Sequence, residues 1–167
     1  MQVRPEQEAD KTVVREIVAA EFDTGAEADL VEALREQADP VVSLVAEEDG
    51  AVVGYAMFTP VTVEGDAGAK LMGLAPLAVT PAHQGKGFGS ALVREGFERC
   101  RQLGYGAVVV LGHPEYYERF GFEPASRYGL KSEYAVPDEA FMALELEPGA
   151  LADRSGTVRF HAAFKDL

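Results

Sequence analysis

The chain has 167 residues, 47% of them apolar and 26% charged, which suffices for one packed core without metal or disulfide staples and excludes a disordered composition. Fifteen basic against 28 acidic residues leave a net charge of −13, which repels phosphate backbones, so nucleic acid is not an expected partner and cationic ligands are favoured. The lone cysteine, Cys100, cannot close an internal disulfide, the opening segment is too charged for a secretory leader, and the apolar stretches 51–63 and 71–82 carry Pro or Gly and fall short of a membrane span; the expectation is a soluble cytoplasmic protein with no membrane partner.

Val3 starts a short strand. Asp10 is placed to cap a helix whose apolar positions Val13, Val14, Ile17, Val18 and Phe22 follow helical spacing. Ala28, Leu30, Val31 and Leu34 mark a second helix that ends by Asp39-Pro40, because proline cannot continue it. Residues 41–46 are β-branched and apolar, Asp49-Gly50 is a hairpin turn, and residues 51–63 return as a long strand. The turn-rich 65–68 leads into a third strand, 71–79, whose lack of polar alternation predicts a central position covered on both faces.

Next come a glycine-rich turn, a helix over 88–103 closed by Gly104, and the compact Val-rich strand 107–111. A short helix over 115–120 stops at Gly121, and strands are expected near 140–146 and 157–160. No repeat or linker divides the chain, so residues 1–167 read as one domain: helices first, then a mixed sheet with a strand–turn–helix–strand crossover at its centre.

The turn Gln84-Gly85-Lys86-Gly87-Phe88-Gly89 carries the chemistry. Glycines at alternate positions let the backbone approach a ligand, and the first N–H groups of the following helix have no carbonyl partners and sit at the positive end of its dipole. An anion such as a diphosphate suits that arrangement, and Lys86 adds a mobile charge. The same glycines would equally serve a tight turn that caps a helix. The spacing G-x-G-x-G is neither the dinucleotide pattern G-x-G-x-x-G nor the triphosphate loop, since Lys86 is followed by Gly87 rather than Ser or Thr.

Around this turn, the run from Leu77-Ala78-Val79-Thr80-Pro81 through Gln84-Gly85-Lys86-Gly87-Phe88-Gly89-Ser90 resembles the acyl-CoA signature (Q/R)-x-x-G-x-(G/A) of the GNAT N-acetyltransferases. Pro114-Glu115-Tyr116-Tyr117-Glu118-Arg119-Phe120-Gly121-Phe122 is similar to the tyrosine-bearing "YYxxxGF" element of the same family, in the same order. The segments around His113 and around Glu147-Pro148-Gly149 resemble the YhbS-like subgroup of predicted acetyltransferases.

The resemblance implies a GNAT fold of class α/β (α+β): a mixed central sheet of about seven strands, about four helices, and a splayed wedge for the acyl-CoA between two central parallel strands. It implies acetyl-CoA as cosubstrate, no metal, and acetyl transfer to a primary amine by direct attack on the thioester. Backbone groups of Leu77 and Val79 would hold the pantetheine, an N–H near Ala78 would polarise the carbonyl, and the turn from Gln84 through Ser90 would hold the diphosphate. Tyr117 would be the general acid, with Tyr116 against the core or the pantetheine.

The base stays open among Glu21, Asp23, Glu27, His113 and water, because 71–79 carries no carboxylate. The acceptor is a small molecule or peptide, cationic if the acidic surface selects it, and strands near the C-terminus could mediate a homodimer. His83 and His161 have no partner legible in the sequence, and Cys100 reads as structural. The alternative reading is a noncatalytic acyl-CoA-binding sensor or interaction module.

Overall fold

The computed structural model describes residues 1–166 and contains four α-helices and a mixed sheet. Seven strands lie on the main hydrogen-bonded order β1-β2-β3-β4-β5-β8-β6, and two further strands, β7 and β9, pair off it. By internal contacts the chain forms two compact units, one of residues 1–59, 74–99 and the C-terminal turn, the other of residues 60–73 and 100–161.

In the first unit β1 (Gln2–Pro5) pairs antiparallel with β2 (Val42–Glu48), and β2 pairs antiparallel with β3 (Ala51–Val63). The hairpin between β2 and β3 turns at Asp49-Gly50, both with positive φ (53° and 82°), as the twist of paired strands requires of a two-residue turn. Helices α1 (Lys11–Phe22) and α2 (Ala26–Gln37) bury Val14, Ile17, Val18, Leu30, Val31 and Leu34 against Val45, Tyr55, Met57 and Ala78. On the opposite pleat of β3, Phe58 meets α3 (Phe88–Gln102): its ring lies edge-on to Phe97 at 6.4 Å, and it covers Gly96 so closely that a Cβ there would sit 2.0 Å from Phe58 Cε1.

In the second unit the lower part of β4 (Asp66–Val79) pairs in parallel with β5 (Ala107–Leu111) over Leu71↔Ala107, Met72↔Val108 and Gly73↔Val109. β5 is buried at its first four residues and pairs antiparallel with β8 (Phe141–Glu145), which carries β6 (Glu123–Pro124). β7 (Leu130–Ser132) and β9 (Gly156–Arg159) run parallel to each other, and β9 lies antiparallel on the end of β3. The two shortest of these strands, β6 and β7, were outside the sequence reading, since two or three residues carry no periodicity.

Three expectations are corrected. Asp10 does not cap α1: its backbone is helical, and its carboxylate instead takes two hydrogen bonds from Arg4 (2.7 and 3.1 Å) and one from the Gln7 N–H. Phe22, at the C-terminal end of α1, is 38% exposed rather than in the core, because the helix stops there at the left-handed Asp23. The third strand is not covered throughout. Leu71, Met72, Gly73 and Leu74 are buried in succession, after which Ala75, Leu77 and Val79 are half-exposed between the buried Pro76 and Ala78. The change follows the end of the parallel register at Gly73↔Val109; beyond it Ala78 keeps one face of β4 on the α1–α2 cluster and the other face opens.

Candidate active site

The glycine turn lies wholly within the first unit. From Val79 the chain passes through Thr80, a 3-10 turn at Pro81–His83, and the exposed residues Gln84, Gly85, Lys86 and Gly87 before α3 begins at Phe88. Gly85 and Gly87 have φ of 76° and 91°, where a side chain is strained, and a Cβ at either would meet nothing within 4 Å. The glycines are therefore demanded by backbone conformation, and the space over them is open.

Gly89 is the second residue of α3 and has no positive φ; it belongs to the helix. The Ala91 N–H donates to the Gly87 carbonyl (3.0 Å), so the N–H groups of Phe88, Gly89 and Ser90 precede the first intrahelical bond, at the positive end of the helix dipole.

Two side chains anchor the turn. Phe88 is 2% exposed and anchors α3, which leaves only its backbone N–H to face a ligand. The Gln84 side chain donates to the Val79 carbonyl (3.0 Å) and reaches a Glu21 carboxylate oxygen at 3.4 Å, tying the turn to the end of β4 and to α1. Leu77 and Val79 are half-exposed, and the Ala78 methyl is packed in the core, so Ala78 can act outward only through its backbone.

Tyr116 and Tyr117 occupy the second unit, on α4 (Pro114–Tyr117) just after β5. Pro114 opens the helix, the His113 carbonyl accepts the N–H groups of Tyr116 (3.1 Å) and Tyr117 (3.3 Å), and Gly121 at φ 100° ends the following turn. The Tyr117 ring packs edge-on against Tyr116 (5.1 Å) and Phe122 (5.7 Å) and lies across Gly112, where a Cβ would come within 2.5 Å of its Cε2. Burial, reinforced by Tyr116, pushes its phenol up to about 12, so it holds its proton throughout the neutral and mildly alkaline range. The Arg119 guanidinium lies 4.4 Å from the Tyr116 ring centre; burial raises that phenol too, and Arg119 works against the shift.

Each candidate base has its own surroundings. Glu21 is exposed beside Gln84; Asp23 is the left-handed residue closing α1; Glu27 accepts a 2.8 Å hydrogen bond from Thr24; His113 is exposed and precedes α4. Cys100 is fully buried in α3 and burial pushes its thiol up to about 12, which fits a structural residue and not a nucleophile. The sequence reading missed the partners of His83, which touches Thr80, Glu48 and Phe88. The Thr80–His83 spacing hinted at one of them; Glu48 comes from a distant hairpin and only the fold could supply it.

The two motifs legible in the sequence thus fold as an open glycine turn leading into α3 and a buried, proton-holding tyrosine on α4 just after β5. The family model for the Acetyltransferase (GNAT) family matches residues 11–122, and the chain belongs to that family, a class of N-acetyltransferases. Among relatives, it is 38% identical over 165 residues to the N-acetyltransferase YhbS of Escherichia coli K12, covering 98% of both chains. The crystal structure of E. coli YhbS in complex with CoA superposes with a TM-score of 0.92 at 37% identity, over 98% of this chain and 91% of that one. A GNAT acetyltransferase from Brucella melitensis in complex with acetyl-CoA gives 0.80 at 36% identity, over 98% and 97%.

Proposed function

We propose that the chain is an acetyl-CoA-dependent N-acetyltransferase that transfers an acetyl group to a primary amine of a small molecule or peptide by direct attack, with no acyl-enzyme. The observation that carries this reading is the turn at Gly85 and Gly87, exposed and open above its backbone and running into the free N–H groups of α3. The CoA and acetyl-CoA complexes of the two similar structures support the choice of cosubstrate. The two compact units are taken as one catalytic domain, since the family match draws on both.

Bound acetyl-CoA supplies an activated thioester carbonyl. N–H groups from Gly85 through Ser90 receive the diphosphate, with the exposed Lys86 adding charge and Gln84 and Phe88 fixing the turn from below. Leu77 and Val79 offer backbone groups to the pantetheine; the Val79 carbonyl already accepts Gln84 and keeps one lone pair. A backbone N–H near Ala78 stabilises the negative charge that develops on the carbonyl oxygen. Tyr117 Oη gives its proton to the departing thiolate, and its raised pKa keeps that proton available. The amine loses its proton to water or to one of Glu21, Asp23, Glu27 and His113. With a net charge of −13, the surface favours a cationic acceptor.

The absence of any acidic side chain from 71–79 favours one second reading, a noncatalytic acyl-CoA-binding module. Thiol release from acetyl-CoA, followed across a panel of amines and peptides, separates the two. The expected outcome is release dependent on an amine and lowered by about two to four orders of magnitude in Tyr117→Phe, with acetyl-CoA affinity retained. Tight acetyl-CoA binding without release for any amine would favour the module, and an unchanged rate in Tyr117→Phe would remove Tyr117 from the reaction.

A further inference from the structure

His83 stands between the end of β4 and the glycine turn, and its ring has neighbours from three parts of the first unit. Nδ1 lies 2.8 Å from Thr80 Oγ1, and Nε2 lies 3.7 Å from a Glu48 carboxylate oxygen at the end of β2. The ring meets that of Phe88 edge-on, with centroids 5.6 Å apart and planes at 80°. Nδ1 and the Thr80 hydroxyl thus share one hydrogen bond, while the other ring nitrogen faces Glu48. Thr80 is itself fixed, its N–H donating to the Val53 carbonyl (2.9 Å) and its own carbonyl accepting the His83 N–H (2.9 Å).

These contacts close a frame around the turn. His83 is its last residue on the strand side, Phe88 its first on the helix side, and their rings touch across the four exposed residues between them. Of those four residues Gln84 is held by its side chain to the Val79 carbonyl and Glu21, whereas Gly85 and Gly87 have no side chain to hold them and stand in open space. Glycines lose more freedom on ordering than any other residue, so a two-glycine loop that must present several N–H groups in one direction gains most from being fixed in advance.

We infer that His83 is a positioning residue of the cosubstrate site: by linking Thr80 and Glu48 to Phe88 it staples the glycine turn in the conformation that receives the diphosphate of acetyl-CoA. The inference rests on the assignment of that turn under the proposed function. His83 acts through the turn, so its loss changes capture of the cosubstrate and leaves turnover at saturation untouched.

Three variants resolve the staple. His83→Ala removes all of it; His83→Phe keeps the ring contact with Phe88 and loses both polar links; His83→Asn keeps an acceptor for Thr80 and loses the ring. Calorimetric titration with CoA should show affinity roughly five- to tenfold weaker for His83→Ala, the scale of ordering one or two side chains on binding, with partial recovery in each of the other two. In the thiol-release assay, KM for acetyl-CoA should rise in step and kcat should stay at the parental value. Equal CoA affinity in parent and His83→Ala would overturn the inference while leaving the turn assignment intact, as would a fall in kcat with KM unchanged. A parent protein that does not bind CoA at all would instead overturn the turn assignment, and the staple with it.

Discussion

Gly87 shows how one residue joins conformation to binding. Its φ of 91° lies where a β-branched side chain is strained, yet a Cβ there would touch nothing in the protein. Gly87→Val should therefore fold with a local conformational cost of about 1–2 kcal/mol and fill the space proposed for the diphosphate. The measurement is acetyl-CoA affinity by calorimetry, expected to fall by at least about tenfold, with Gly87→Ala intermediate. Equal affinities for valine variant and parent would show that the turn does not receive the cosubstrate. The demand for glycine here was legible in the sequence, since a tight turn between a strand and a helix needs it whatever the turn serves. The neighbours of Gly87 were less so: nothing in the order of residues says that Gln84 bonds back to Val79, or that Phe88 is buried while Lys86 is exposed.

Among the elements, α3 depends most on an exact surface. Its buried positions Phe88, Leu92, Val93, Phe97 and Cys100 follow helical spacing, and Gly96 interrupts a good helical run to admit the Phe58 ring. Gly96→Ala sets two effects against each other. Helix propensity gains about 0.5–1 kcal/mol, while a methyl 2.0 Å from a fully buried ring overpacks the core at about 1–3 kcal/mol. Overpacking wins because Phe58 is enclosed between β3 and α3 and has no exposed direction in which to move. A thermal melt should show a decrease of a few degrees; an increase would mean that Phe58 can give way. The helix itself was legible from its periodicity, and the reason for its central glycine was not, because Phe58 lies 38 residues away in sequence.

At the scale of the whole molecule, buried groups that resist ionisation set the alkaline limit. In the unfolded chain Cys100 ionises near 9 and Tyr117 near 10, whereas burial holds both up to about 12 in the fold. Their raised folded-state pKa values mean that full stability is present below about pH 9. It is lost as pH rises toward 12, where the unfolded state releases protons that the folded state keeps. Urea midpoints at pH 8 and pH 10.5 should therefore fall with pH, and Cys100→Ala should flatten the part of the decline that begins near pH 9 even though the variant is less stable throughout. A midpoint unaffected by pH in the parent would mean that these groups are hydrated. At the acid end the sign is reversed: Arg4 holds the Asp10 carboxylate below its usual range, so that contribution is present near neutrality and lost on acidification.

The sequence by itself determined what depends on neighbours a few residues apart. Helix periodicity, the Asp49-Gly50 hairpin, the glycine stops at Gly104 and Gly121, and the need for glycine at Gly85 and Gly87 all follow from local sterics. Those local rules, with the two matching motifs, were enough to reach the acetyltransferase (GNAT) family. Tertiary structure decided what depends on residues brought together from afar: Asp10 committed to Arg4 instead of a helix cap, β4 covered for only half its length, and Glu48 and Phe88 placed against His83. Side-chain pairing and burial are set by distances across the fold, and the linear order of residues does not encode those distances in any local pattern.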